Sequence, residues 1–109
     1  MTPLTHELLT TMSTVSGFSS QVILSRRRQP PLPALRWMIG RELLKQHYSN
    51  CAAARELNID HATLLHGIKT LDQMHSDTQG WALEIDIESK FEQAINEQKG
   101  INEQGAARP

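Results

Sequence analysis

SNCAAARELNIDHATLLHGIKTLDQM, residues 49–74, reads as two helices broken by a short turn. Asn50 is suited to cap the first helix, which runs to Leu57. Beyond Asn58 and Ile59, Asp60 falls where a side-chain oxygen accepts the free N–H groups that open a second helix. In that register Ile59 sits just before the cap and Leu64 at the fourth helical position, a hydrophobic staple that sets the angle at which the chain enters the helix. At about 100° per residue, Leu64, Leu65, Gly67, Ile68, Leu71 and Met74 form an apolar side. Ala62, His66, Lys69, Thr70 and Gln73 form the other side, which carries hydrogen-bonding groups and one cation.

Two short helices with a tight turn, the second one polar outside, match what a helix-turn-helix places in the major groove of DNA. A helical hairpin in any small bundle shares that two-faced pattern, so the particular residues decide. Asp60-His61-Ala62-Thr63-Leu64-Leu65-His66, followed by Lys69, resembles the D-H-T-T-V-L-H-A signature of the C-terminal DNA-binding domain of DnaA, the bacterial chromosomal replication initiator. The resemblance implies an all-α, Trp-repressor-like helix-turn-helix bundle over about residues 6–75. It also implies sequence-specific binding of double-stranded DNA, in replication or transcription control.

The rest of the chain is consistent with an all-helical protein. No run with period-two alternation offers a strand a partner. Leu8, Leu9, Met12 and Val15 recur at helical spacing between Thr5 and Ser16, and Gly17 supplies the stop. A short second segment spans Ser20 to Ser25. Pro33 opens a helix to about His47, apolar through Leu35, Met38, Ile39 and Leu43 on one side and Trp37, Gly40 and Leu44 on the other. Such a helix is central and buried.

Between these segments, Arg26-Arg27-Arg28 is followed by Gln29-Pro30-Pro31-Leu32-Pro33, a basic cluster on a connector stiffened by proline. Composition alone is equally compatible with a solvated loop. Ser25-Arg26-Arg27-Arg28 resembles the basic S-K-R-R segment of DnaA, which implies that these arginines hold phosphates and that Arg28 reaches into the minor groove. Arg41-Glu42-Leu43 resembles the family's A-[RK]-E-L, implying a phosphate contact for Arg41, with Lys45 beside it. His61, Ala62, Thr63, His66 and Lys69, with Asp60 at the cap, are the residues implied to face bases or backbone. The chain departs from the pattern at Pro33-Ala34, where the family has Arg-Gln, and in the turn, where it lacks the family's glycines. Ala62 replaces a threonine and can touch a thymine methyl without donating a hydrogen bond.

A formal net charge of −1 hides an asymmetry. Residues 1–75 hold 8 Lys and Arg against 5 Asp and Glu; residues 76–109 hold 3 against 7. The basic part coincides with the DNA-binding unit that the resemblance implies over 1–75; apolar spacing then predicts an added amphipathic helix over 76–98, and low apolar content an unordered tail over 99–109. The added helix carries Trp81, Ile85, Ile87 or Glu88, Phe91 and Ile95, a stripe that packs on its own domain or forms a homodimer surface.

A length of 109 residues allows one domain at most, with a core of moderate size. One cysteine and no apolar run long enough for a signal or a span predict a cytoplasmic chain without a membrane partner. His47, Cys51, His61 and His66 offer ligand atoms, but His61 and His66 diverge on one helix and no paired spacing anchors a tetrahedron. No metal or cofactor is expected. Without a Gly-rich phosphate loop no nucleotide is expected either, and no nucleophile has an orienting group, so the chain does not read as an enzyme. The rival reading is a protein-interaction module that keeps the fold but binds DNA weakly or not at all, motivated by the acidic tail, the departure at Pro33-Ala34 and the altered turn.

Overall fold

Four of the helices begin where a side-chain oxygen accepts from one of their first N–H groups. The computed structural model describes the backbone of residues 1–107 and the side chains of residues 1–98. Helix α1, Pro3–Ser16, is capped by Thr2, whose Oγ1 accepts from the Thr5 N–H at 3.4 Å. It ends on Gly17, which takes the left-handed conformation at φ 82° and donates its N–H to the Ser13 carbonyl. Ser19 caps α2, Ser20–Ile23. Helix α3, Leu32–Lys45, opens on prolines without a side-chain cap. Ser49, one residue before the expected Asn50, caps α4, Asn50–Glu56. The cap of α5, His61–Gln73, is Asp60 as expected, its Oδ2 accepting from the Ala62 N–H at 2.9 Å. A 3₁₀ turn, Met74–Ser76, leads to α6, Ala82–Ala107.

The turn between α4 and α5 closes without glycine. Asn58 takes φ 56°, the Asn58 N–H bonds the Arg55 carbonyl and the Ile59 N–H bonds the Ala54 carbonyl at 3.0 Å. That is the left-handed helix ending usually given to glycine, and asparagine is among the residues that tolerate it best. His47, at φ 72°, ends α3 in the same way, with the Tyr48 N–H on the Leu43 carbonyl. The helix accordingly stops at Lys45, short of the expected His47.

Helix α3 is the central one. It packs against α1, α2, α4, α5 and α6, and Leu35, Ile39 and Leu43 are fully buried. Each fully buried Leu or Ile contributes about 1.5–3 kcal/mol of transfer free energy, so this helix carries much of the core. Its contact with α5 is close in two places. A Cβ at Gly40 would run into the Leu64 side chain, and one at Gly67 would fall on the Trp37 indole. The two glycines therefore let α5 lie tightly on α3, with Leu64, Leu71 and Met74 sealed beneath it. Leu65 is the exception to the expected apolar side. It is 40% exposed, because α3 and α4 cover only the arc that holds Leu64, Gly67, Ile68 and Leu71.

Helix α6 lies against α1 and α3 with Ile87, Phe91 and Ile95 buried in the common core. The stripe that offered a dimer surface as an alternative is thus used within the same chain. The α6 backbone continues to Ala107, where composition predicts an unordered tail from Lys99. Glutamate, glutamine and alanine favour helix, and no proline interrupts them before the terminus. Residues 108–109 lie outside the described residues. Among the described residues the protein is all-helical, without strands, and no helix is long and apolar enough to cross a membrane.

Candidate nucleic-acid interface

Two loops meet over the N-terminal half of α3: the connector from α2, and the turn between α4 and α5. Between them lies a groove of about 520 Å³. Ser25, Arg26 and Arg28 line it from the connector, Pro33, Arg36 and Trp37 from α3, and Asn58, Ile59, Asp60 and Thr63 from the turn and the first turn of α5. The basic arm and the start of α5 are distant in sequence, and the fold makes them opposite walls of one concavity.

The connector is held in place by Arg36. This buried side chain donates from Nε to the Ile23 carbonyl at 2.6 Å and from Nη2 to the Arg27 carbonyl at 2.5 Å. Burial pushes its guanidinium below the ordinary value, yet arginine stays charged at any physiological pH. A fixed positive charge at the floor of the groove results. Ser25 contributes a second tie, its Oγ accepting from the Arg27 N–H and donating to the Val22 carbonyl. Arg26 and Arg28 are exposed, with no carboxylate partner among the described residues. Three guanidinium groups against the one carboxylate of Asp60, itself engaged in capping, leave the groove positive.

On α5, His61, Ala62, Thr63, His66 and Lys69 are all exposed, as an outward-reading face requires. Thr63 is the member that turns toward the arm, since it alone of the five lines the groove. His61 Nδ1 lies 3.9 Å from Asp60 Oδ1, a pair that is ionic only when the imidazole is protonated. Thr70, placed with the outward group by periodicity, is half-buried and bonds its hydroxyl back to the His66 carbonyl at 3.0 Å. It is committed to its own helix.

Two of the expected phosphate contacts stand elsewhere. Arg41 points Nη2 to Glu88 Oε2 at 2.7 Å and to Glu92 Oε1 at 3.5 Å, and Nη1 lies 3.9 Å from Asp72 Oδ1. With 19% of its side chain exposed and three carboxylates around it, Arg41 anchors α6 instead of offering a free cation. Lys45, one turn further on, lies 3.4 Å from Glu42 in a hollow shared with Glu92 and Asn96 of α6. For Arg41 the cause is the acidic helix α6 laid along this side of α3; Lys45, which stays exposed, pairs with Glu42 of its own helix. Arg27 is exposed but does not line the groove; its backbone carbonyl is what Arg36 holds.

Sequence reasoning missed Arg36, Trp37 and Asn58 as parts of this site. Asn58 was visible, because asparagine before a capping aspartate at a helix end signals a left-handed turn. Nothing local distinguished Arg36 from a surface arginine. Among the described residues no group of three His, Cys, Asp or Glu side chains is arranged to hold a metal. Comparison with protein-family models, with curated proteins and with solved structures finds no match for the chain.

Proposed function

We propose that this chain binds double-stranded DNA sequence-specifically through a helix-turn-helix like that of the DnaA C-terminal domain, in replication or transcription control and without ATPase or other catalytic activity. The observation that carries the reading is the shared groove of Arg26, Arg28, Asp60 and Thr63. In a duplex complex α5 would enter the major groove by its first turn, and the arm would follow the adjoining backbone toward the minor groove. Arg26 and Arg28 supply phosphate neutralisation; His61, Ala62, Thr63, His66 and Lys69 supply contacts to base edges or nearby backbone. The close fit of Gly67 on Trp37 and of Gly40 on Leu64 supports a rigid presentation of α5.

A protein-interaction module is the second reading, favoured by Leu65, 40% exposed on the outward side of α5, and by the loss of Arg41 to α6. Selection of bound duplexes from a random library, followed by anisotropy titration over a salt series, separates the two. DNA binding predicts an enriched sequence and a log–log salt slope that flattens by about one to two units in Arg26→Ala/Arg28→Ala. A library that yields no enrichment and no measurable affinity favours the interaction module.

A further inference from the structure

A second cavity lies on the other side of Pro33 and Trp37, between the proline connector and the start of α6. It measures about 330 Å³ and is predominantly apolar, walled by Pro30, Pro31 and Pro33, by the indoles of Trp37 and Trp81, and by Glu84. Glu84 is the only ionisable residue in that wall. The residue is 93% buried, being 7% exposed, and its carboxylate makes no hydrogen bond or ion pair among the described residues. Its buried neighbours on α6 and α3 are treated differently: Glu88 accepts from both Arg41 and His75, and Glu42 pairs with Lys45.

A carboxylate on a residue this buried, with no hydrogen-bond donor or cation beside it among the described residues, leaves its charge to be met from the space it opens on. Glutamate in the first turn of a helix is favoured by the helix dipole, which accounts for the residue type at position 84. It does not account for burial beside two indoles without a single N–H donor on the carboxylate. No side-chain oxygen is both sealed from solvent and unpaired among the described residues, so the Glu84 carboxylate still opens on space, and the space it lines is this cavity.

We propose that the cavity is a binding site for a small organic cation, a guanidinium or methylated ammonium compound held between Trp37 and Trp81 and neutralised by Glu84. Indole faces attract such cations through their quadrupole, most strongly where water is excluded, and the carboxylate gives the full countercharge. The prolines add rigid apolar walls that lose little entropy on binding. A cavity of about 330 Å³ is at the lower end of the range for small-ligand sites and suits a ligand of side-chain size. The site is separate from the arm groove and does not depend on DNA binding, although Pro33 and Trp37 stand in the wall of both.

The chain has two tryptophans, both in this cavity, so intrinsic fluorescence reports on it directly. The experiment titrates the full chain with ethylguanidinium, with tetramethylammonium and with ethylurea, the neutral isostere of the first. Saturable quenching or enhancement is expected for the cations in the millimolar range, with ethylurea weaker by about tenfold or more. Glu84→Gln, which keeps the shape and removes the charge, should weaken the cations by about tenfold and leave ethylurea unchanged. Equal binding of ethylurea and ethylguanidinium, or no saturable response to either cation, overturns the proposal. The comparison on the unsubstituted protein decides the matter even if Glu84→Gln does not fold. A folded Glu84→Gln that binds the cations with unchanged affinity overturns it as well.

Discussion

Glu88→Gln tests the ion cluster that fastens α6 to the body of the protein. In the native chain one carboxylate oxygen accepts from Arg41 Nη2 and the other meets His75 Nε2, both at 2.7 Å, with 8% of the Glu88 side chain exposed. Glutamine keeps the volume and one acceptor but removes the charge and turns an N–H₂ toward one of the two donors. Breaking a fully buried pair costs about 3–5 kcal/mol, because the surviving charge is left without a partner. Here Arg41 retains Glu92 at 3.5 Å and Asp72 at 3.9 Å, with 48% and 69% of their side chains exposed. Exposed partners of that kind recover a minor share, about 0.5–1 kcal/mol each at most. The expected loss is therefore about 2–3 kcal/mol, which for a chain of this length corresponds to a fall in Tm of about 8–12 °C. Urea and thermal melts followed by circular dichroism measure it. A double-mutant cycle with Arg41→Met should return a coupling of about 1–3 kcal/mol. A loss under about 0.5 kcal/mol, or additive effects in the cycle, would mean that the cluster does not hold α6 and that Arg41 is free for another role.

Three further outcomes follow from particular residues. Thr63→Ala changes an exposed side chain next to a cap already made by Asp60, so stability should move by less than about 0.5 kcal/mol. Its affinity for a selected duplex should fall by about 1–3 kcal/mol and that for unrelated DNA much less, as paired titrations at fixed salt will read; equal losses would make it a phosphate contact. Phe91→Asp places a charge where the native ring is 2% exposed, and should abolish cooperative unfolding of a monomer in sedimentation and melting experiments. A folded monomer would refute that burial. Glu56 accepts from the Thr2 N–H and the Thr5 hydroxyl, both at 2.7 Å, and these bonds hold its carboxyl below the ordinary 4.5. A depressed folded-state value means that this stabilisation is present above about pH 4.5 and is lost as the pH falls through the lower folded value. Glu56→Gln should narrow the difference between melts at neutral pH and below pH 4, and an unchanged difference would contradict the assignment.

Features set by neighbours in the chain were legible from sequence. Asp60 as a cap, Gly17 as a stop, α3 as the central helix and the buried stripe of α6 all follow from spacing of three or four residues. What was not legible depends on partners far away. Arg41 looks like a surface cation until Glu88, 47 residues on, is laid against it. Leu65 looks like core because a helical wheel does not say how wide an arc the neighbouring helices cover. Arg36 looks like any basic residue until the connector folds back and gives it two carbonyls to hold. The candidate site was half visible for the same reason. Exposure of the α5 face and the basic arm could be read from pattern, but their convergence on one groove required the packing of both against α3, and the pairing of Arg41 required that of α6.

Amide chemical-shift mapping of the ¹⁵N-labelled chain on addition of a selected duplex tests the proposed DNA-binding surface most directly. Binding through the groove predicts the largest changes at Ser25–Arg28 and at Asp60–His66, with Lys69 next and the α6 segment around Glu88 and Glu92 quiet. Perturbation centred on α6, or none at duplex concentrations far above those that saturate ordinary nonspecific binding, would contradict it.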